Sequence, residues 1–291
     1  MPFDRSLVGR WTPPATTEIT ARDTALYALG VGAKREELDL LYEGRGPKVL
    51  PSFAVVPKFQ PMLDLLAKCG GDLAMIVHTA ERVTAHAPLE PRGTLSTTAA
   101  IRGFYDMRRF AQVLVDTRTH DEGGRLVAET TSTMLFRDHG GFGGETLPKE
   151  APAVERPNDA PPTFAIEEAT SREQALLYRL SGDRNPLHAD PEFARRVGFE
   201  QGPILHGLCT FGFMVRHVAK AVCGGDATRI RAFEGQFRRP VWPGDTLVTE
   251  GWLVAPGRVA LRVKVRERDE AVITGAWATF SSLRDVEGGA T

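Results

Sequence analysis

The segment Gly207 to Cys223 constrains the fold most, because it is apolar on nearly every face and interrupted only by Arg216, His217 and Lys220. A helix that is apolar all round has to be buried. Other elements must therefore wrap it, and the chain beyond it reads as strands near 228–239, 245–254, 258–268 and 271–282. In the third of these, Val259, Leu261, Val263 and Val265 alternate with Ala260, Arg262, Lys264 and Arg266. That is the pattern of a half-buried antiparallel strand. Trp242-Pro-Gly-Asp245 and Ala255-Pro-Gly257 supply turns between strands.

The first part of the chain has the same plan. Residues 19–30 read as a helix with Thr20 as N-cap and Gly30 as stop, and a long polar loop covers 31–52. Residues 53–69 read as a mostly buried helix, in which Pro57 and Pro61 imply a late start or a kink. Strands are expected at 73–87, 94–103, 108–120 and 125–137, the last two joined by the hairpin turn Asp121-Glu-Gly-Gly124. The glycine run Gly140-Gly-Phe-Gly-Gly144 ends this series, and the five prolines within 145–162 mark a linker. After it come a short strand at 163–168, a helix from a Ser171 cap to Leu180, a polar loop, and a short helix from Asp190 to Val197. The expected organisation is thus 1–144, linker 145–162 and 163–291. Each half is an antiparallel sheet on one buried helix, an α+β arrangement. Pairing the two sheets edge to edge would leave fewer exposed edges.

Composition narrows the partners. A net charge of -1 gives no electrostatic footprint for nucleic acid or a membrane surface. No apolar run is long enough to span a bilayer. The start has no secretory h-region and the end is no Ser-Lys-Leu address, so a cytoplasmic protein is expected. Cys69, Cys209 and Cys223 match no zinc or redox spacing and lie in or beside apolar runs, which suits a reducing compartment.

The chemistry gathers in two stretches. Tyr178-Arg-Leu-Ser-Gly-Asp-Arg-Asn-Pro-Leu-His188 places Asp183, Asn185 and His188 in one short loop, and Gly202-Pro-Ile-Leu-His-Gly-Leu208 brings Gly207 to the start of the apolar helix. A carboxylate, an amide, an imidazole and a free helix N-terminus suit addition or removal of water beside a carbonyl. The bland reading of Asp183 is a turn residue that accepts from backbone N–H groups. On spacing alone the two stand about even. His206 reads as a structural or supporting histidine and Asp190 as a helix cap. A metal site from Asp183, His188, Asp190 and His206 fits no zinc-ligand spacing.

These stretches, with Gly198-Phe199 and Pro203-Ile-Leu-His-Gly-Leu-Cys-Thr-Phe-Gly212, resemble the R-specific 2-enoyl-CoA hydratases, the hydratase 2 or MaoC-like family. Leu41-Tyr42-Glu43 and the glycine run extend the resemblance to the two-domain type. The resemblance implies a double hot-dog fold, a CoA thioester substrate, a homodimer, and neither cofactor nor metal. It implies Asp183 and His188 as the acid–base pair on one water, Asn185 as an orienting amide, and the Gly207 N–H as oxyanion donor. The first half has Pro51-Ser52 where the second has His206-Gly207, and it lacks the catalytic loop. In the family's terms it would hold the acyl chain. Arg184, Lys220, Arg238 and Arg239 are the candidate contacts for CoA phosphates. A hot-dog thioesterase and a non-catalytic acyl-CoA-binding subunit remain the alternatives.

Overall fold

The computed structural model describes residues 3–73, 76–137, 139–148 and 153–281. Parts of the strands expected at 73–87 and 271–282, part of the linker, and the C-terminal Glu-Gly-Gly-Ala-Thr lie outside those residues. The first half contains β1 (Ala15–Ile19), α1 (Ala21–Gly30), α2 (Leu38–Leu41), α3 (Phe59–Lys68), β2 (Ile76–Ala85), β3 (Gly93–Asp106), β4 (Phe110–His120) and β5 (Leu126–Arg137). The second contains β6 (Phe164–Ala169), α4 (Gln174–Tyr178), α5 (Pro191–Arg196), α6 (Gly207–Val222), β7 (Ile230–Phe237), β8 (Thr246–Ala255), β9 (Arg258–Val265) and β10 (Glu270–Phe280).

All strands join one ten-stranded antiparallel sheet in the order β1-β3-β4-β5-β2-β7-β10-β9-β8-β6. The halves meet where β2 pairs with β7, in a register that sets Arg82 opposite Glu234 and Val83 opposite Phe233. This is the double hot-dog arrangement, and the edge-to-edge junction matches the expectation.

α6 is buried continuously from Leu208 to Ala219. Its core takes residues from both halves, including Tyr27, Val31, Phe53 and Val83 from the first. At Gly212 an added Cβ would lie 2.3 Å from Val31, so only glycine admits this close approach. The polar residues of α6 are paired. The Arg216 guanidinium donates to the Val31 carbonyl and to Glu37 and Glu168. His217 bonds Thr249 and Glu168, and Lys220 pairs with Glu37 at 3.1 Å. Burial raises the Glu168 carboxyl, but His217 and Arg216 outweigh it and bring its pKa down to about 2. A buried charge needs such partners, and these fasten one half to the other.

Several local expectations are corrected. β1 is not among the expected strands, and Ile19, expected in the first helix, ends it. That helix starts at Ala21 behind a Thr20–Asp23 capping box, so the Thr20 cap stands. The stretch 53–69 is divided at Pro57 into a 3-10 turn, Pro51–Val55, and α3. The stretch is mostly buried as expected, but α3 itself is amphipathic: Met62, Leu65 and Leu66 face the core while Gln60, Asp64 and Lys68 are exposed. Ser171 is not a cap, because α4 has no side-chain cap. Gln174 instead donates to the Leu29 and Gly30 carbonyls. The Pro-rich segment packs on the sheet through Val154 against Trp252 and Trp277, and the Trp252 indole N–H donates to the Ala160 carbonyl at 2.8 Å. No helix among the described residues is long and apolar enough to cross a membrane.

Candidate active site

The loop after α4 is shaped by its own side chains. A 3-10 turn, Arg179–Ser181, leads into Gly182, whose φ of +136° favours glycine. Asp183 Oδ1 accepts from the Asn185 N–H at 3.1 Å, and Asn185 Oδ1 accepts from the Leu187 N–H at 3.0 Å. These consecutive turns lead into Pro186–His188, a 3-10 turn that Asn185 caps. The turn-forming role and the presentation of chemical groups therefore coexist. Asp183 uses Oδ1 on the backbone and retains Oδ2, while Asn185 is exposed.

His188 is 9 % exposed, and its Nδ1 lies 2.8 Å from the Ile204 carbonyl. A carbonyl only accepts, so Nδ1 carries the proton and Nε2 keeps its lone pair. Burial lowers the pKa of His188, and the Asp183 charge partly opposes that shift. His206 Nε2–H donates to the Asp183 carbonyl at 3.1 Å, leaving its buried Nδ1 without a partner. Its ring stacks on His188 with centroids 3.6 Å apart and meets the Tyr178 ring at a tilt of 53° with centroids 4.9 Å apart. Burial, with His188 and Arg179 nearby, takes the His206 pKa down to about 2, so this ring is neutral at physiological pH. His206 thus braces both members of the pair, Asp183 through its carbonyl and His188 through its ring face.

Asp183, His188 and His206 each place one donor atom within 4.8 Å of the others. The His188 and His206 ring planes are 25° apart. Asp190 stands apart as the cap of α5, accepting from the Glu192 and Phe193 N–H groups.

Gly207 is the first residue of α6, and its N–H has no partner among the described residues. Such N–H groups and the partly positive helix end favour an incoming anion. Gly207 lines a cavity of about 200 Å³ with His78, Thr210, Phe237, Arg238 and Arg239. His188 lines another, of about 350 Å³, with Arg172, Gln201 and Trp242. Asp183 lines neither of these. Asp183 and His188 therefore come together with His206, Gly207 follows His206 directly in the chain, and neither of these two cavities is lined by all three groups. Of the four candidate cations, Arg238 and Arg239 line the Gly207 cavity and Arg184 is exposed beside Asp183. Lys220 is not near the site. It lies 13 residues along α6 from Gly207, which is about 20 Å of helix, and is held by Glu37.

Sequence reasoning missed His78, Lys58 and Glu81. Lys58 Nζ donates to Glu81 Oε2 and to Ser132 Oγ, each at 2.5 Å, with both charged side chains fully buried. Burial lowers the Lys58 pKa. Burial raises that of Glu81, but Lys58 and His78 outweigh it and the net direction is down. The available signal was a lysine, Lys58, inside the stretch 53–69 that read as mostly buried.

Two family models match the chain, the MFE-2 hydratase 2 N-terminal domain over residues 18–138 and the MaoC like domain over 153–276. 3-Hydroxyacyl-thioester dehydratase Y of Mycobacterium tuberculosis is 40% identical over 278 residues, covering 93% of this chain and 94% of that protein. The peroxisomal enoyl-CoA hydratase 2 of Arabidopsis thaliana is 37% identical over 92% of this chain and 93% of its own length. The chain belongs to the MaoC-like hydratase 2 family. Among solved structures, a MaoC-like dehydratase from Phytophthora capsici matches with a TM-score of 0.87 and 31% identity, covering 98% of this chain and 99% of that one. Membership makes the protein an enzyme, a hydro-lyase of the MaoC type.

Proposed function

We propose that this enzyme reversibly hydrates trans-2-enoyl-CoA to the R-configured 3-hydroxyacyl-CoA. The supporting observation is the His188 tautomer. Its Nδ1–H is held by Ile204, which leaves Nε2 as the basic nitrogen, and one ring nitrogen lies within 4.8 Å of an Asp183 carboxylate oxygen. The relatives named as enoyl-CoA hydratase 2 supply the substrate class. One water, held between Asp183 and His188, gives a proton to that pair as its oxygen bonds to C3. The double-bond electrons move toward the thioester oxygen, where the Gly207 N–H donates to the developing charge. The resulting enolate takes a proton at C2 from the same pair. Asn185 orients the water, and Arg238 and Arg239 meet the CoA phosphates. The addition of water is balanced without any net oxidation or reduction, so the proposal includes no cofactor. The three cysteines are free and buried, in keeping with action in a reducing compartment such as the cytosol.

Asp183→Asn preserves the acceptor for the Asn185 N–H and removes the carboxylate. It should lower kcat/KM by roughly 100- to 10,000-fold, as should His188→Ala, with little change in melting temperature. Full activity in both variants would remove the assignment. Product configuration is read by chiral analysis, and release of free thiol from a saturated acyl-CoA would point to thioester hydrolysis instead.

A further inference from the structure

The Gly207 cavity is not built by the second half alone. Val77 and His78 of β2 line it. The β2–β5 register shifts between His78 and Ala80, which makes Thr79 a bulge residue. Bulges re-aim side chains and are frequent beside active sites. Here the His78 ring meets Phe237 edge-on at 5.2 Å. The Phe237 ring in turn lies 3.3 Å from where a Gly207 Cβ would stand, so one aromatic ring separates His78 from the helix N-terminus.

His78 is also held in a defined state. Its Nε2 lies 2.9 Å from the Ala80 carbonyl and 3.0 Å from Glu81 Oε2, both acceptors, so Nε2 carries a proton. Glu81 is itself fixed by Lys58 and Ser132. Nδ1 then has no partner among the described residues. In the neutral ring it is an acceptor, on a side chain 20% exposed, in a cavity whose other ionisable lining groups are Arg238 and Arg239. Arg239 is 65% exposed and marks the solvent end, while Gly207 marks the thioester end.

We propose that His78 is a substrate-binding residue contributed by the first half, its Nδ1 accepting a hydrogen bond from an amide N–H of the pantetheine arm. This rests on the hydratase reading, because a thioester at Gly207 with phosphates at Arg238 and Arg239 runs its pantetheine arm past His78. A lost hydrogen bond of this kind corresponds to roughly a 5-fold change in affinity. The test uses the full chain with two substrates carrying one enoyl group, the CoA thioester and an S-ethyl thioester that has no amide.

His78→Phe should raise KM for the CoA thioester by about 5-fold, change kcat far less, and leave KM for the S-ethyl thioester unchanged. His78→Gln, which keeps an acceptor, should recover most of the loss. His78→Asn is too short to reach the arm and serves as the loss variant if the Phe variant does not fold. An unchanged KM for the CoA thioester in the loss variants overturns the proposal. So does an equal rise on both substrates, which would mean distortion of the cavity. Failure of the wild-type enzyme to hydrate either thioester would overturn the hydratase reading itself, and is seen before any variant is made.

Discussion

Breaking the Lys58–Glu81 pair should destabilise the protein far more than replacing it. At 2.5 Å and an effective dielectric constant near 20, the gross attraction is roughly 6–7 kcal/mol. Removing two ions from water costs several kcal/mol for each, so the net contribution of the intact pair is near zero. Removing one partner leaves the other charge buried and unpaired, at a cost of about 3–5 kcal/mol. For a chain of 291 residues that is a fall in Tm of roughly 5–8 °C. Lys58→Met and Glu81→Gln should each show it by circular dichroism melting, whereas Lys58→Met combined with Glu81→Leu should recover most of the loss. Single variants that melt within about 2 °C of wild type would refute the reasoning, because the two charges could not then be desolvated and mutually dependent. Glu81→Leu also frees the His78 ring, so KM for the CoA thioester should rise in step with His78→Phe.

The His188 base should give kcat/KM an acid limb below pH 6.5. Its folded pKa is lowered, so the neutral form persists above that pKa and is lost as pH falls through it. A limb centred at or above 6.5, measured by loss of enoyl absorbance across pH, would contradict this. His206→Phe keeps a ring on His188 but loses the donor to the Asp183 carbonyl, and should lower kcat/KM by about 5-fold. His206→Ala loses both contacts and should fall further; equal rates in wild type and both variants would show that the brace has no part in turnover.

What could be read in the sequence is what local chain geometry determines. The loop from Gly182 to His188 was legible because its bonds span two residues, Asp183 to Asn185 and Asn185 to Leu187, and short polar side chains with Gly and Pro encode such turns directly. α6 was legible because a helix without a polar face has only one place to go. β1 was not: only Ile19 of it is buried, and its partner strand begins at Gly93, so nothing in the local pattern marks it.

The candidate site divides along the same line. Residue types and spacing singled out Asp183 and His188 as candidates, but which cavity each group lines depends on contacts between distant segments. His78 meets Phe237 across the sheet junction, and Lys58 meets Glu81 and Ser132 across separations of 23 and 74 residues. The misplacement of Lys220 is different in kind. A rise of about 1.5 Å per residue already separates it from Gly207 by about 20 Å. That geometry alone assigns the two groups to opposite ends of α6. The first half, which lacks the Asp-x-Asn-Pro-Leu-His loop, nevertheless supplies His78 to the Gly207 cavity and a buried ion pair that fixes it. The half without that loop therefore still contributes Val77 and His78 to the Gly207 cavity at the sheet junction.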